Sequence, residues 1–391
     1  MRIPIYLDHN ATTPVDPRVL DAMLPYFQQQ FGNPASKTHR FGWDADRAVG
    51  EARDQIASAI GARGREIVFT SGATEANNLA ILGVAARFHG PPGEIVTAAT
   101  EHKAVLDPCR ALERQGWKIH CLIPDSTGLL DPAQVERALS PRTALVSVMA
   151  ANNETGTLAP LAEIGALTRA RGIPFHCDAA QAIGKIALDV SRLNIDLLSI
   201  SGHKVYASKG IGALFVRSRP RVPIAPIQYG GGHEGGLRSG TVPTPLVVGL
   251  GVALELAEKE RETEMARQRA LTDRLWRAIH ERIPSAILHG VDRLTEGAQT
   301  LPGTINVGFP GIEAEALLLG VPELALSSGS ACTSAEIEPS HVLRAMGVPA
   351  SIAHGSIRCG VGRSTRPEEI DYAARRISAV VERLLANATP S

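Results

Sequence analysis

The chain of 391 residues is poor in aromatic side chains and has no excess of charge. Aromatic residues make up 4% of it, and 40 basic residues balance 40 acidic ones, so the formal net charge is zero. Few rings and no positive excess argue against the stacking surfaces and phosphate-binding patches of a nucleic-acid-binding protein. We therefore expect no direct nucleic-acid binding, and a core built mainly from Ala, Val, Leu and Ile.

Long apolar runs are also lacking. The longest, such as Leu246–Leu256, end well before the roughly 20 apolar residues that a membrane helix needs. The first eight residues contain neither the apolar stretch nor the cleavage site of a signal peptide. We therefore expect no membrane contact and a cytoplasmic location.

Cysteine is scarce and is not arranged in pairs. The five cysteines are widely spaced and form no Cys-x-x-Cys pair, and the twelve histidines show no metal-ligand spacing. This pattern argues against a disulfide framework or a zinc site and favours a reducing compartment. One of the cysteines can still be a nucleophile.

Short β-branched runs alternate with longer stretches of helical periodicity. Asp44–Ile60 places apolar residues at three- and four-residue steps, which predicts one apolar helical face. The alternation predicts an α/β fold around a mostly parallel central sheet. The predicted strands are Ile67–Thr70, Ala144–Met149, Ile173–Cys177, Ile195–Ile200 and Ala213–Val216.

The length of the chain suggests more than one domain. A Gly- and Pro-rich stretch over residues 220–245 precedes a long charged helical pattern, and we expect it to be an active-site or interface loop. We predict a large domain over residues 15–257. Residues 1–14 and 258–391 are predicted to form a smaller α+β domain.

Polar residues follow several predicted strands, at the edge where parallel sheets bind ligands. Thr70–Glu75 places a glycine and hydroxyl groups at a predicted helix start, which suits a phosphate; an ordinary helix cap explains the same residues. Asp178 ends an apolar strand and can pair with a protonated ring nitrogen. The alternative for Asp178 is a helix N-cap, the commoner role of aspartate after a strand.

Two more polar residues stand at strand ends. Lys204 directly follows a buried strand, where burial disfavours the charged amine, and a depressed pKa is what a Schiff-base lysine requires. The alternative is a surface lysine in a turn. His102 can stack on a flat cofactor ring and shuttle protons near neutral pH, or be a structural histidine.

Cys332 lies among small residues in Ser327–Ser334, which we expect to belong to a mobile loop over residues 325–336. A mobile thiol can carry a group between a donor and an acceptor. Most lone cysteines are inert core residues, but Cys332 has no apolar run beside it. The other four cysteines keep the structural interpretation.

Taken together, these segments resemble the class V, fold-type I enzymes that use pyridoxal 5'-phosphate (PLP), most closely the cysteine desulfurases of the NifS/IscS type. The resemblance covers nearly the whole chain, and it rests on many motifs in the same order. The matching segments are Tyr6–Pro14, Phe31–Pro34, Thr70–Glu75, Thr100–Val105, Asn152–Gly156, Asp178–Gln181, Ser201–Lys204, Arg238–Thr241 and Ser327–Ser334.

The resemblance implies a PLP site and a homodimer. Lys204 would hold PLP as a Schiff base and move the substrate's α-proton, Asp178 would keep the pyridine nitrogen protonated, and His102 would stack on the ring. Thr241 would reach the phosphate from the neighbouring subunit. The implied cofactor-binding residues are Ala73, Thr74, His102, Asn153, Asp178, Gln181, Ser201, His203, Lys204 and Thr241.

The resemblance also implies a reaction, the conversion of L-cysteine to L-alanine with sulfur transfer. Arg358 and Asn153 would bind the substrate, with its carboxylate on the guanidinium fork of Arg358. Cys332 would carry the sulfur as a persulfide, and Lys204, His102 and Cys332 would be the catalytic residues. No resident metal is implied, only a transient iron–sulfur contact through Cys332.

The chain departs from the usual pattern of the family at several positions. Gly235 stands where many members have arginine, Ala207-Ser208 where many have Gly-Pro, and Cys359-Gly360 where many have Phe-Ser. The sequence stops soon after Leu385, so we do not expect the longer tail by which some members dock a cluster scaffold. The sulfur acceptor therefore stays open among iron–sulfur cluster scaffolds, tRNA thiolation proteins and DNA sulfur-modification machinery.

Two other functions remain open from the sequence. A related PLP-dependent lyase or aminotransferase, including a selenocysteine lyase, would share Lys204 and Asp178 but need no Cys332. A catalytically silent cluster-assembly protein would retain the fold without holding PLP.

Overall fold

A computed structural model of the chain describes residues 3–295, 297–328 and 339–388. Three short 3₁₀ turns, Gly64–Glu66, Gly202–Lys204 and Glu234–Gly236, join its elements. The helices are α1 (Pro17–Gln28), α2 (Arg40–Ser58), α3 (Ala73–Ala85), α4 (Lys103–Glu113), α5 (Pro132–Ala138), α6 (Leu161–Arg171), α7 (Thr244–Arg282), α8 (Ala314–Gly320), α9 (His341–Ala345), α10 (Ala350–Ala353) and α11 (Pro367–Ala388). The strands are β1 (Ile5–Tyr6), β2 (Ile67–Thr70), β3 (Glu94–Ala98), β4 (Lys118–Leu122), β5 (Thr143–Ser147), β6 (Phe175–Asp178), β7 (Leu197–Ser201), β8 (Gly212–Val216), β9 (Ile287–His289), β10 (Thr304–Gly308), β11 (Leu324–Ala325), β12 (Ser327–Ser328) and β13 (Ser356–Gly360).

The larger sheet has seven strands in the order β2-β8-β7-β6-β5-β3-β4. Its neighbours pair in parallel, except that β8 runs antiparallel to both β2 and β7. Every residue of β5 and β7 is buried, as expected for central strands covered on both faces. The predicted α/β fold with a mostly parallel central sheet is confirmed.

Helices cover both faces of this sheet. On one face, α2 and α7 pack into a core that includes Val49, Ile56 and Leu250. On the other, α3 and α4 pack around Leu79 and Val105. Helix α2 begins four residues before the predicted Asp44–Ile60 and ends at Ser58, so its apolar face lies where the periodicity placed it.

A second sheet with the order β12-β13-β10-β9 is antiparallel throughout. Its core includes Ile305 of β10 and Ile357 of β13, packed against Leu275 of α7 and Ile377 of α11. Strand β1, near the N-terminus, pairs in parallel with β11. The predicted domain division at 257/258 falls inside the continuous helix α7, and it stays a prediction.

The topology gathers polar residues from distant parts of the chain at one edge of the large sheet. His102 follows β3, Asp178 ends β6, and Lys204 lies in the turn after β7. Because parallel strands end on the same side, these residues meet in one crevice. Within the described ranges, the structure has no helix both long and apolar enough to cross a membrane.

Candidate active site

A cleft of about 620 Å³ opens at the carboxyl ends of the parallel strands. The size suits a small cofactor together with a substrate. It brings together ten of the twelve residues that the sequence singled out. Those ten are Ala73, Thr74, His102, Asn153, Asp178, Gln181, Ser201, His203, Lys204 and Arg358.

Lys204 reaches across the cleft to the N-terminal segment. It lies in the 3₁₀ turn Gly202–Lys204, directly after the buried strand β7. Its Nζ donates to the backbone carbonyls of Asn10 and Ala11, the latter at 2.8 Å. The amine is thus directed into the cleft by backbone acceptors, as a lysine that must bind a carbonyl compound requires.

Asp178 is held from two directions at the end of β6. Its Oδ1 accepts from the Ala180 N–H at 2.9 Å, and its Oδ2 accepts from Asn77 Nδ2 at 2.6 Å. The side chain therefore caps the following turn, as the simpler interpretation expected, and also lines the cleft. A carboxylate fixed in this way can pair with a cationic ring nitrogen.

His102 begins helix α4 as its N-cap. Its Nδ1 accepts from the Ala104 N–H at 3.0 Å, so the neutral ring carries its proton on Nε2. Partial desolvation by the walls of the cleft lowers its pKa. The ring is thus neutral near pH 7 and can offer an apolar face to a flat cofactor.

The N-terminus of α3 forms a cradle for an anion. Gly72 precedes the helix with φ = 155°, a conformation that residues other than glycine rarely adopt. A Cβ at Gly72 would meet no heavy atom within 4 Å and would project into this open space. The N–H groups that begin the helix, together with Thr74, suit a phosphate.

His203 also lines the cleft, as does Ser201. Its Nδ1 lies 3.1 Å from Thr12 Oγ1. Burial, and then the nearby charge of Lys204, lower its pKa to about 4. The ring is therefore neutral near pH 7 and can donate a hydrogen bond to an anion without adding charge.

The donor set fits PLP at every part of that cofactor. The cleft offers a lysine for its aldehyde, an aspartate for its ring nitrogen, a histidine for its ring face and a helix N-terminus for its phosphate. The fold and this set define a fold-type I PLP-dependent enzyme.

Arg358 lines the cleft from strand β13. Its Nη2 donates to Asp8 Oδ1 at 2.8 Å, and its Nη1 donates to the Asn153 carbonyl at 3.0 Å. Its Nε is buried and has no hydrogen-bond partner within the described part of the chain. The guanidinium group is therefore held rigidly beside Asn153.

Two predicted residues are not in the cleft. Thr241 is exposed and does not line it. Cys332 lies outside the described residues; β11 and β12 contain the first residues of its predicted loop. Burial raises the pKa of the Cys109 and Cys359 thiols to about 12, so neither is a ready nucleophile.

Sequence reasoning missed three residues that organise the site. Asn77 donates a hydrogen bond to Asp178 but lies inside helix α3. The sequence periodicity of a helix predicts which residues are buried, but not which polar partner they have. Asp8 and the Asn10 carbonyl hold Arg358 and Lys204. The segment Tyr6–Pro14 contributed only to the family resemblance. Its polar residues next to apolar Leu7 could have indicated that it belongs to the site.

Comparison with known proteins identifies the family. The model of the family described as "Aminotransferase class-V" matches residues 5–373. A curated protein named "Cysteine desulfurase IscS" from Anaeromyxobacter dehalogenans is 53% identical over 384 residues, covering 98% of this chain and 94% of that protein. A "Cysteine desulfurase" from Mus musculus is 52% identical over 381 residues, covering 97% and 82%.

A solved structure agrees with these relatives. One titled "NIFS-LIKE PROTEIN" superposes with a TM-score of 0.89 at 35% identity, covering 98% of this chain and 100% of that one. The chain therefore belongs to the class-V aminotransferase family, within its cysteine desulfurases, which are PLP-dependent enzymes.

Proposed function

We propose that this desulfurase binds L-cysteine between Arg358 and the cofactor, releases L-alanine and passes the sulfur to Cys332. The observation that carries the proposal is the arrangement of Lys204, Asp178 and Arg358 around one cleft. Arg358, fixed by Asp8 and the Asn153 carbonyl, is positioned to receive the substrate carboxylate.

Bound PLP supplies an electron sink that stabilises negative charge at the substrate's α-carbon. Asp178, held by Asn77 and the Ala180 N–H, keeps a proton on the ring nitrogen, which makes the sink effective. Lys204 Nζ takes the α-proton from the substrate. Neutral His102 holds its proton on Nε2 beside the ring, where it can be donated.

Sulfur transfer requires a thiolate and no outside oxidant. The Cys332 thiolate attacks the substrate sulfur, an S–S bond forms, and the substrate's Cβ–S bond breaks with its electron pair left on Cβ. Protonation of Cβ, and return of the α-proton from Lys204 to the α-carbon, complete L-alanine, so the carbon is reduced as the sulfur is oxidised. In sum, L-cysteine and the Cys332 thiol give L-alanine and the Cys332 persulfide.

The test is a Cys332→Ser variant, with Cys121→Ser as its matched control because Cys121 is an exposed free thiol that does not line the cleft. We expect Cys332→Ser to keep the visible absorption band of the cofactor and to lose sulfide release. Cys121→Ser should keep both. Sulfide release at the wild-type rate from Cys332→Ser rejects the carrier role and favours a lyase.

We further propose a homodimer in which Thr241 contributes to the neighbouring subunit's phosphate site. Thr241 lies outside its own cleft, while Phe31, Phe41 and Trp43 are each more than half exposed. Exposed aromatic clusters mark interaction surfaces. Sedimentation equilibrium tests the dimer, and a Thr241→Ala variant with unchanged PLP affinity would count against the shared site.

The sulfur acceptor is proposed to be an iron–sulfur cluster scaffold or another thio-cofactor protein in the cytoplasm. Support for a reducing compartment comes from Cys109, Cys121, Cys177 and Cys359, which are free thiols. Incubating the enzyme with ³⁵S-labelled cysteine and a purified scaffold tests the proposal. Label that stays on the enzyme excludes that acceptor.

A further inference from the structure

Lys185 is a lysine behind the active site to which the reaction gives no role. It lies in the turn after β6, and its Nζ donates to Gln181 Oε1 at 3.2 Å. Burial, and then the positive charges of Lys204 and Arg358, lower its pKa to about 7. In the described part of the chain no carboxylate offsets these charges. The residue is partly buried, and an amine shielded from water without a counter-charge costs stability, so packing alone does not explain it.

The bond to Lys185 decides which way the Gln181 amide points. In its protonated form Lys185 can only donate, and a backbone carbonyl can only accept. Gln181 lies between the two, with Oε1 towards Lys185 and Nε2 donating to the Asn10 carbonyl at 2.9 Å. The same carbonyl accepts from Lys204, so the Gln181 N–H is held next to the lysine that binds the cofactor.

The described residues that line the space around Lys185 include an unpaired acceptor, His9 Nε2, which is buried and has no hydrogen-bond partner there. A cavity of about 30 Å³ separates Lys185 from Lys204, and His9, Tyr206, Glu264 and Arg363 also line it. This volume has room for about one water molecule. Burial lowers the pKa of His9 to about 4, so His9 is neutral, and Glu264 is engaged by Arg267 at 2.9 Å. Among the described residues, the side-chain hydrogen bond of Lys185 is the one to Gln181.

We propose that Lys185 is a positioning residue, which holds the Gln181 amide so that its N–H faces the phenolic oxygen of bound PLP. The proposal rests on the placement of Gln181 beside the phenolic oxygen of PLP, which the resemblance to the desulfurases implies for this cleft-lining residue, and not on the sulfur chemistry. Without Lys185 the amide can rotate and present its oxygen instead. A lost N–H donor destabilises the negative charge on the phenolic oxygen, which favours the protonated cofactor–lysine linkage.

The experiment measures the pH at which the visible absorption band of the bound cofactor titrates, in the absence of cysteine. We expect Lys185→Met to raise this midpoint by about 0.5 unit or more and to weaken PLP binding by the apoenzyme roughly fivefold. Lys185→Gln serves as a second variant in case the first does not fold. Lys118→Met, on the exposed end of edge strand β4, is the matched control and should leave both quantities unchanged.

A double-variant cycle separates positioning from a direct effect of charge. Gln181→Ala alone should raise the midpoint in the same direction, and adding Lys185→Met to it should produce no further shift. A full additional shift in the double variant, or an unchanged midpoint in the folded single variant, overturns the proposal. Because no cysteine is present, failure of the sulfur-transfer proposal would show in turnover and leave this measurement intact.

Discussion

Replacing Arg358 with lysine isolates the contribution of its guanidinium fork. Arg358 uses Nη1 and Nη2 for the Asn153 carbonyl and Asp8, and its side chain is only 9% exposed. Lysine keeps the positive charge but has a single compact donor group and cannot make the planar contacts. The substrate carboxylate would then lose one charge-assisted hydrogen bond.

Such a bond is worth about 1.5–3 kcal/mol, which corresponds to a fall of about 10- to 150-fold in kcat/KM. We expect most of the loss in KM, because the contact is made to the bound substrate as well as in the transition state. Steady-state alanine formation measures it, and the cofactor band checks that the PLP site is intact.

The matched control is Arg363→Lys. Arg363 also pairs with an aspartate, Asp16, at 2.8 Å, and its side chain is 16% exposed, but it does not line the cleft. We expect kcat/KM of the Arg363→Lys variant to stay within about threefold of the wild-type value, since only structural contacts change. A similarly small change in Arg358→Lys would refute the assignment of Arg358 to the substrate carboxylate.

Three further predictions follow from contacts in and near the cleft. Lys204→Ala should lack the visible band of the covalently held cofactor, and a persisting band would contradict its assignment. Asn77→Leu should weaken PLP binding because it removes the 2.6 Å bond to Asp178; unchanged affinity in a fluorescence titration would count against this support. Burial raises the pKa of Glu154 to about 7, so the folded protein binds a proton at this carboxyl more tightly than the unfolded chain does. This contribution to the stability of the fold is fully present below about pH 4.5 and is lost as the pH rises through 7. Glu154→Gln should therefore gain thermal stability relative to wild type between pH 5 and 8, and a constant difference in Tm would disprove it.

Short sequence patterns, read along the chain, were enough to predict the fold class. Ile195–Ile200 and Ala213–Val216 were recognisable as strands because β-branched residues between turn residues favour the pleated conformation. The predicted strand over 173–177 agrees with β6 to within two residues at its start. What such runs could not show is strand direction. Antiparallel β8 lies between β2 and β7, an order set by chain crossings and not by composition.

The residues that carry the chemistry could likewise be identified from the sequence, whereas the residues that hold them could not. Lys204 and Asp178 stood out because a charged group at the end of an apolar strand is costly unless it has a use. The groups that hold them are far away in the sequence. Asn77 lies 101 positions from Asp178, and the Asn10 carbonyl lies 194 positions from Lys204. Hydrogen bonds over such separations are specified by packing, and no local pattern encodes them.

The sequence by itself therefore determined which residues carry the chemistry, since residue type fixes charge, nucleophilicity and helix or strand preference. Only the tertiary structure decided how they are held. Gln181 was a candidate from its motif, but the direction of its amide depends on Lys185 on one side and a carbonyl from the N-terminal segment on the other. That direction is a property of three groups brought together by folding, because an amide has no preferred orientation until donors and acceptors surround it.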